Sequence, residues 1–364
     1  MFERILVPLD GSTRAARALP IIARLAHATH GSVILVSVVN HFVLGEPSST
    51  HNHRTLSRDD ISMSEAEAYL EATARSPELA HVTVEKAILS GPVASTVLYA
   101  VTSCRADLIV ISSHGRSGMM SKMLGSVSEK VVCRATIPVL LLREKGSLPL
   151  VQYPQTDREE NINQVPSPTP AYVGNAHRTM PTMSTGLTRI LVALNGTSSA
   201  HVLLNPAAEL AAALASPYGG ALHLARVVLP PEVVAQKHAY GSVAETMEQA
   251  QKSLAAVTSY LHVGLMAPIV AQYRLAVTWT VVESEQIAET LVHLAEHGED
   301  VEGEGAFGDC DIIAMATHGL AIENQLTLGS VAAHVIALTH CPILLVRPTA
   351  QMQMDRSFER SANV

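Results

Sequence analysis

A chain of 364 residues with 48% hydrophobic content is long enough for two or three domains, each with its own core. No apolar run approaches the ~20 residues of a spanning helix, and Met1 to Arg4 leads straight into a strand pattern rather than a signal peptide, so a cytoplasmic protein without membrane insertion is expected. The net charge of −8 comes with no basic run, which argues against an extended nucleic-acid surface but leaves room for a single bound nucleotide.

In chain order, Ile5-Leu6-Val7-Pro8-Leu9 reads as a buried strand and Asp10-Gly11-Ser12 as the turn into an amphipathic helix. Ala15, Ala18, Leu19, Ile22, Leu25 and Ala26 share one face of that helix up to about His30, with Gly31 as its stop. Val33 to Val39 gives a second strand, and the polar stretch His41 to Asp60 a long surface loop. A helix follows over Ser62 to Arg75, a strand over Val82 to Leu89 and a helix over Val93 to Cys104. Asp107 to Ile111 is a short run rich in β-branched residues, which suits a buried parallel strand. Small residues begin where it ends, at Ser112-Ser113-His114-Gly115, and a nine-residue loop, Arg116 to Leu124, then leads to Gly125-Ser126 and a helix opening Val127-Ser128-Glu129. Ile137 to Leu142 makes a fifth strand.

The stretch from Ser112 to Ser128 reads as a phosphate site. Gly125 lets the backbone approach an anion, and the free N–H groups of the helix start bind it with help from the helix dipole. Ser126 has a competing use: with Glu129 it spells an S-x-x-E capping box, in which the hydroxyl would satisfy the helix instead. Asp10 has one too, because Asp-Gly favours an Asx turn.

Glu144 to Gly186 breaks the pattern, with prolines at 149, 154, 166, 168, 170 and 181 among polar residues, and residues 147–186 are expected to form a Pro-rich linker. The second half restarts at Ile190-Leu191-Val192-Ala193-Leu194-Asn195-Gly196-Thr197, which matches Ile5 to Ser12 with Ala193 for Pro8, Asn195 for Asp10 and Thr197 for Ser12. A strand over Ala221 to Val228 follows, then helical material from Ser242 to Leu261, a strand near Tyr273 to Val281 and a helix from Ser284 to His297. The strand Asp311 to Ala316 ends in Thr317-His318-Gly319, nine residues before Gly329-Ser330, and Ile343 to Val346 closes the half. The chain is therefore a duplication whose second copy is longer by about 19 residues, much of it an acidic, Gly-rich surface loop over His297 to Gly308. Alternating strand and helix predicts an open parallel α/β sheet covered on both faces. Domains are expected at 1–146 and 187–348, with a flexible tail at 349–364. The four cysteines, Cys104, Cys133, Cys310 and Cys341, have no CxxC spacing and read as reduced and mostly buried. His51-Asn52-His53 lacks a fixed third ligand and reads as solvated loop, so no metal centre is expected.

Three separated blocks agree twice and in order: strand plus Asp or Asn, the Ser-His-Gly or Thr-His-Gly strand end, and Gly-Ser nine residues on. In these the chain resembles the universal stress protein family in a tandem, two-domain form. The resemblance implies two doubly wound, Rossmann-like domains, each with a five-stranded parallel sheet of order 3-2-1-4-5. It also implies the G-x2-G-x9-G-(S/T) pattern of the nucleotide-binding members, with ATP or AMP, with or without Mg2+, across the carboxyl ends of the strands. Carried over by position, Pro8 and Asp10 stand beside the nucleoside and Val38 against adenine. Ser112, Ser113, His114 and Gly115 lie near ribose and phosphate, and Gly125, Ser126, Val127 and Ser128 surround the phosphates. Asn195, Val227, Thr317, His318, Gly319, Gly329 and Ser330 are the counterparts in the second half. The last strands commonly pair two domains in this family, which here implies pairing within one chain; a homodimer and an unidentified protein partner are further implications.

The departures set the halves apart. Ser112 and Ala316 fill the first glycine position, Asn195 lacks the carboxylate of Asp10, and Ala332 replaces Ser128. The first nine-residue loop carries Arg116 and Lys122, the second Glu323 and no cation, so the first attracts a phosphate chain better. The expected function is a regulatory stress-response protein with its adenine nucleotide mainly in the first half. With no general base and no Walker lysine, hydrolysis is expected to be slow or absent. The competing expectation is a nucleotide-independent interaction scaffold with eroded sites, and a third is a phosphoryl- or adenylyl-transfer enzyme.

Overall fold

The computed structural model describes residues 2–39, 63–113, 124–143, 188–196, 202–215, 220–236, 246–264, 266–298, 309–317 and 327–348. The expected linker, the tail, the acidic Gly-rich segment from 299 to 308 and the loop at 41–60 lie outside the described residues. The first half runs β1 (Arg4–Pro8), α1 (Thr13–Ala16), α2 (Leu19–Thr29), β2 (Ser32–Val39), α3 (Met63–Ala74), β3 (Thr83–Ser90), α4 (Val93–Ser103), β4 (Leu108–Ser112), α5 (Ser126–Arg134) and β5 (Val139–Leu142). The second runs β6 (Arg189–Ala193), α6 (Leu204–Ala215), β7 (Ala221–Val228), α7 (Pro231–Gln236), α8 (Met247–Val263), α9 (Ala267–Gln272), β8 (Ala276–Glu283), α10 (Ile287–His297), β9 (Ile312–Ala316), α11 (Ser330–Leu338) and β10 (Ile343–Val346).

The strands form one ten-stranded sheet in the order β3-β2-β1-β4-β5-β10-β9-β6-β7-β8. Each half is parallel and has the order 3-2-1-4-5, and the two meet where β10 pairs antiparallel with β5 through Ile343↔Leu141, Leu344↔Leu140 and Leu345↔Val139. The central strands are unbroken apolar runs because helices cover both their faces, whereas the edge strands β3 and β8 carry exposed residues along their length. Two cores result, one on each face. One holds Leu25, Leu70, Leu210 and Leu254 under α2, α3, α6 and α8; the other holds Val97, Val131, Leu291 and Val335 under α4, α5, α10 and α11. Both run across the joint between the halves, and α2 packs directly on α6.

Element boundaries differ from the sequence reading in instructive places. The first helix is two segments, and His30, not Gly31, takes the left-handed conformation that ends it (φ 53°). Gly31 is small for another reason: a Cβ there would meet the backbone oxygens of Glu3 and Phe2 at 2.8 and 3.0 Å. Helix α6 was not legible as a helix. Its sequence, LNPAAELAAALA, is buried at nine of twelve positions and lacks the polar face that helical periodicity depends on. Asp107 and Asp311 close the opposite end of the sheet from the strand-end loops. The Asp107 carboxylate accepts the Glu3 and Arg4 N–H groups at 2.7 and 3.1 Å, and Asp311 accepts the Arg189 N–H at 2.7 Å.

Candidate functional site

In a 3-2-1-4-5 sheet the chain turns one way from β1 and the other way from β4, so a crevice opens between their carboxyl ends. Pro8, Leu9 and Asp10 leave β1 there, and Ser112 and Ser113 leave β4. The backbone at this crest is pinned in the same way in both halves. The Leu9 N–H donates to Val36 O at 2.8 Å and the Leu194 N–H to Ala225 O at 2.9 Å. The Ser113 N–H donates to Leu142 O at 2.8 Å and the Thr317 N–H to Val346 O at 3.0 Å. The Gly125 and Gly329 N–H groups reach Ser113 O and Thr317 O, each at 2.9 Å, and so draw each helix start onto its strand end.

Ser112 and Ala316 stand where the nucleotide-binding pattern has glycine. Both are ordinary strand residues, paired with Leu142 and Val346, and neither has a positive φ. The position therefore asks for a small side chain and not for a glycine torsion. Gly125 and Gly329 are extended as well (φ −63°, ψ 147° and φ −61°, ψ 150°), so any need for glycine there concerns the room above the backbone.

Gly125, rather than Ser126, is the N-cap of α5, and among the described residues no side chain caps this helix. The capping-box reading of Ser126 and Glu129 therefore fails: the helix begins one residue earlier than that motif requires, which puts Ser126 in its first turn. Ser126 and Ser330 are exposed, Val127 and Val331 half-buried, and Ser128 and Ala332 buried. Ser128 is 4% exposed and donates its hydroxyl to Ser112 O at 2.8 Å, tying the helix to the strand end. Ala332 provides no such tie. Val38 is half-buried, pairs with Leu89, and packs on the same core as Val127, so the expected base contact and the expected phosphate helix share one face of the sheet. Val227 and Val331 repeat that placement in the second half.

Asp10 does form the Asx turn: its Oδ1 accepts the Ser12 N–H at 3.0 Å, and Ser12 Oγ in turn caps α1 by accepting the Ala15 N–H at 3.2 Å. A carboxylate has two oxygens and about four lone-pair sites, so this turn and a ribose hydroxyl are compatible uses of it. Asn195, its counterpart, is exposed. On the opposite face of β7 from Val227, Arg226 is 6% exposed and Nη2 donates to Asn195 O at 3.3 Å. Its guanidinium lies against Gly196 (φ 74°), where any Cβ would overlap it. The first half has Ser37 in place of Arg226, 1% exposed and with no hydrogen-bond partner for Oγ among the described residues. Sequence reasoning passed over Arg226. The available signal was a charged residue inside an otherwise apolar strand.

His114, Gly115, Arg116 and Lys122, with His318, Gly319 and Glu323, lie outside the described residues. Among the described residues no group of three or more His, Cys, Asp or Glu is placed to hold a metal, and no helix is long and apolar enough to cross a membrane. The cysteines are free; burial pushes the Cys341 thiol up to about 11 and raises Cys310 and Cys133 as well. A depression of about 260 Å3 lies off the crest, at the outer edge between β3 and α4, lined by Leu89, Ser90, Ser95, Thr96 and the exposed Tyr99.

The family model of the universal stress proteins matches residues 1–143 and again 186–347. A universal stress protein of Thermus aquaticus is 37% identical over 147 residues, 39% of this chain and all of that protein. YxiE, a universal stress protein of Bacillus subtilis, is 30% identical over 149 residues, again 39% of this chain and all of the relative. The crystal structure of a universal stress protein from Archaeoglobus fulgidus covers 96% of this chain and 97% of its own, with 16% identity and a TM-score of 0.56, so it shares the two-domain fold. Two consecutive matches to one family model, on two halves with the same strand order and the same pinned crest, establish that this chain belongs to the universal stress protein family.

Proposed function

We propose that the chain binds an adenine nucleotide, ATP or AMP, mainly in its first half, and that it acts as a cytoplasmic regulatory protein of the stress response. The observation that carries this reading is the start of α5. Among the described residues its first turn has no side-chain cap, Ser126 is exposed, and the turn stands at the point where the strand order reverses. The orphan N–H groups of that turn and the positive end of the helix suit a phosphate chain, and Ser126 adds a hydroxyl donor. Val38, on the same face, offers an apolar wall to the base, and Asp10 an acceptor to a ribose hydroxyl. Ser128 acts as a tether in this arrangement and not as a ligand. Any Mg2+ would arrive with the phosphates. With no general base or Walker lysine marked out by the sequence, the nucleotide serves as a ligand that favours one arrangement of the protein and is turned over slowly or not at all.

The scaffold reading has its support in Ser112 and Ala316, which fill the first glycine position of the nucleotide pattern, and in Asn195, which lacks the carboxylate of Asp10. Calorimetric titration of the full chain with ATP and with AMP decides between the two. The expected result is one nucleotide per chain, lost by about tenfold or more in affinity on Gly125→Val, whose side chain would fill the room a phosphate needs, and unchanged on Gly329→Val. Absence of binding at millimolar nucleotide favours the scaffold; loss on Gly329→Val alone moves the site to the second half.

A further inference from the structure

We infer that the second half holds the phosphate helix of the first in place, and that Arg347 is the positioning residue through which it does so. Helix α5 has nine residues and so is about 13 Å long, with its start at the candidate site and its end at the joint between the halves. The last carbonyls of a helix have no partner within it. Here Val131 O accepts the Ala135 N–H, and Cys133 O accepts from Arg347 Nη1 at 3.1 Å. Arg347 is the first residue after β10, the strand that pairs with β5. A cation from one half thus caps the negative end of a helix in the other, where it favours the helix dipole, while the positive end faces the proposed phosphates. The Cys133 thiol, buried in the same turn, also has the Leu328 backbone N–H beside it, one residue before Gly329. The end of the first half's phosphate helix therefore touches both the exit of β10 and the approach to α11.

The inference rests on the nucleotide reading for its affinity effect and is independent of it for its structural effect. It explains what a second half with substituted ligand positions still contributes: a strand that covers the β5 edge and a cap for α5. Arg143 stands at the same place after β5, and the half that keeps Asp10, Ser126 and Ser128 is the one whose helix receives Arg347.

The test uses the full chain with Arg347→Ala, Arg347→Lys, Arg347→Met and, as a control, Leu254→Val, a packing change in α8 remote from α5. Hydrogen exchange is followed at the Glu129 amide, which makes the first bonded turn of α5 by donating to Gly125 O at 2.9 Å. The expected result is several-fold faster exchange there in Arg347→Ala and Arg347→Met, largely restored in Arg347→Lys and unchanged in Leu254→Val. ATP affinity should fall about threefold in the same two variants, the scale of one charge-assisted contact at a helix end. Unchanged exchange at Glu129 overturns the inference. So does exchange that rises equally through β5 and β10, because Arg347 would then hold the joint and not the helix. If the unaltered chain binds no nucleotide, the nucleotide reading fails while the exchange measurement still decides the role of Arg347.

Discussion

The two helix starts, Gly125-Ser126-Val127-Ser128 and Gly329-Ser330-Val331-Ala332, have nearly the same backbone torsions, the same order of exposure and the same hydrogen bond back to the strand end, yet they are set among different side chains. The backbone is shared because the sheet requires it: a parallel strand must hand over to a covering helix, and only a few geometries do so without stranding polar groups. The side chains are under no such demand. Ala316 and Ala332 stand where the first half has Ser112 and Ser128, Asn195 where it has Asp10, and the buried Arg226 where it has Ser37. A duplicated fold can thus keep its frame where packing dictates it and change its chemistry where only a ligand would object.

The contrast between the halves can be sharpened first by acid. His223, in β7, occupies the place of Ile34 in β2, and its Nδ1 lies 2.9 Å from Thr278 Oγ1. Burial lowers its pKa from 6.5 to about 4, so the folded chain keeps it neutral where the unfolded chain protonates it. The stability it contributes is complete above pH 6.5 and is lost as the pH falls towards 4, a total of about 3 kcal/mol. Melting temperatures across that window should fall more steeply for the unaltered chain than for His223→Ile, which gives the second half the residue of the first. Parallel curves would show that His223 is not the acid-sensitive group.

A smaller effect separates the two strand-end turns. Gly11 and Gly196 both have positive φ, so alanine strains either one by about 1 kcal/mol or more. At Gly196 the new methyl group must also displace the buried Arg226 guanidinium. Gly196→Ala should therefore cost about 1 kcal/mol more than Gly11→Ala in urea denaturation; equal costs would mean that Arg226 yields freely and does not brace this turn. The smallest effect makes the first crest resemble the second. Ser128→Ala removes the bond to Ser112 O and should cost about 1 kcal/mol, whereas Ala332→Ser should cost nothing and gains whatever the same bond to Ala316 O provides. A neutral Ser128→Ala would show the tether to be dispensable.

Most of the frame was legible in the residues. Unbroken apolar runs such as Ile5 to Leu9 and Leu108 to Ile111 read as strands covered on both faces, and their repetition in order gives two doubly wound units. Illegible stretches had physical causes. Helix α6 hides because it is buried nearly all round, and the capping-box spacing of Ser126 and Glu129 misleads because a capping motif matters only if the helix begins at its first residue, which packing against Ser113 decides. Whether Ser112, at the first glycine position, needs a glycine torsion is likewise decided by the backbone, which holds it as an ordinary strand residue.

By itself, then, the sequence determined the periodicities, the duplication, the family pattern and the inequality of the two crests, because these are written in local order and in residue identity. The tertiary structure decided that ten strands form one sheet through β5 and β10, that Ser128 ties helix to strand, that Arg226 braces the Asn195-Gly196 turn and that Arg347 reaches the end of α5. Each of these joins residues far apart in the chain, and no local pattern specifies which partner a lone hydroxyl or guanidinium will meet once the two halves close on one another.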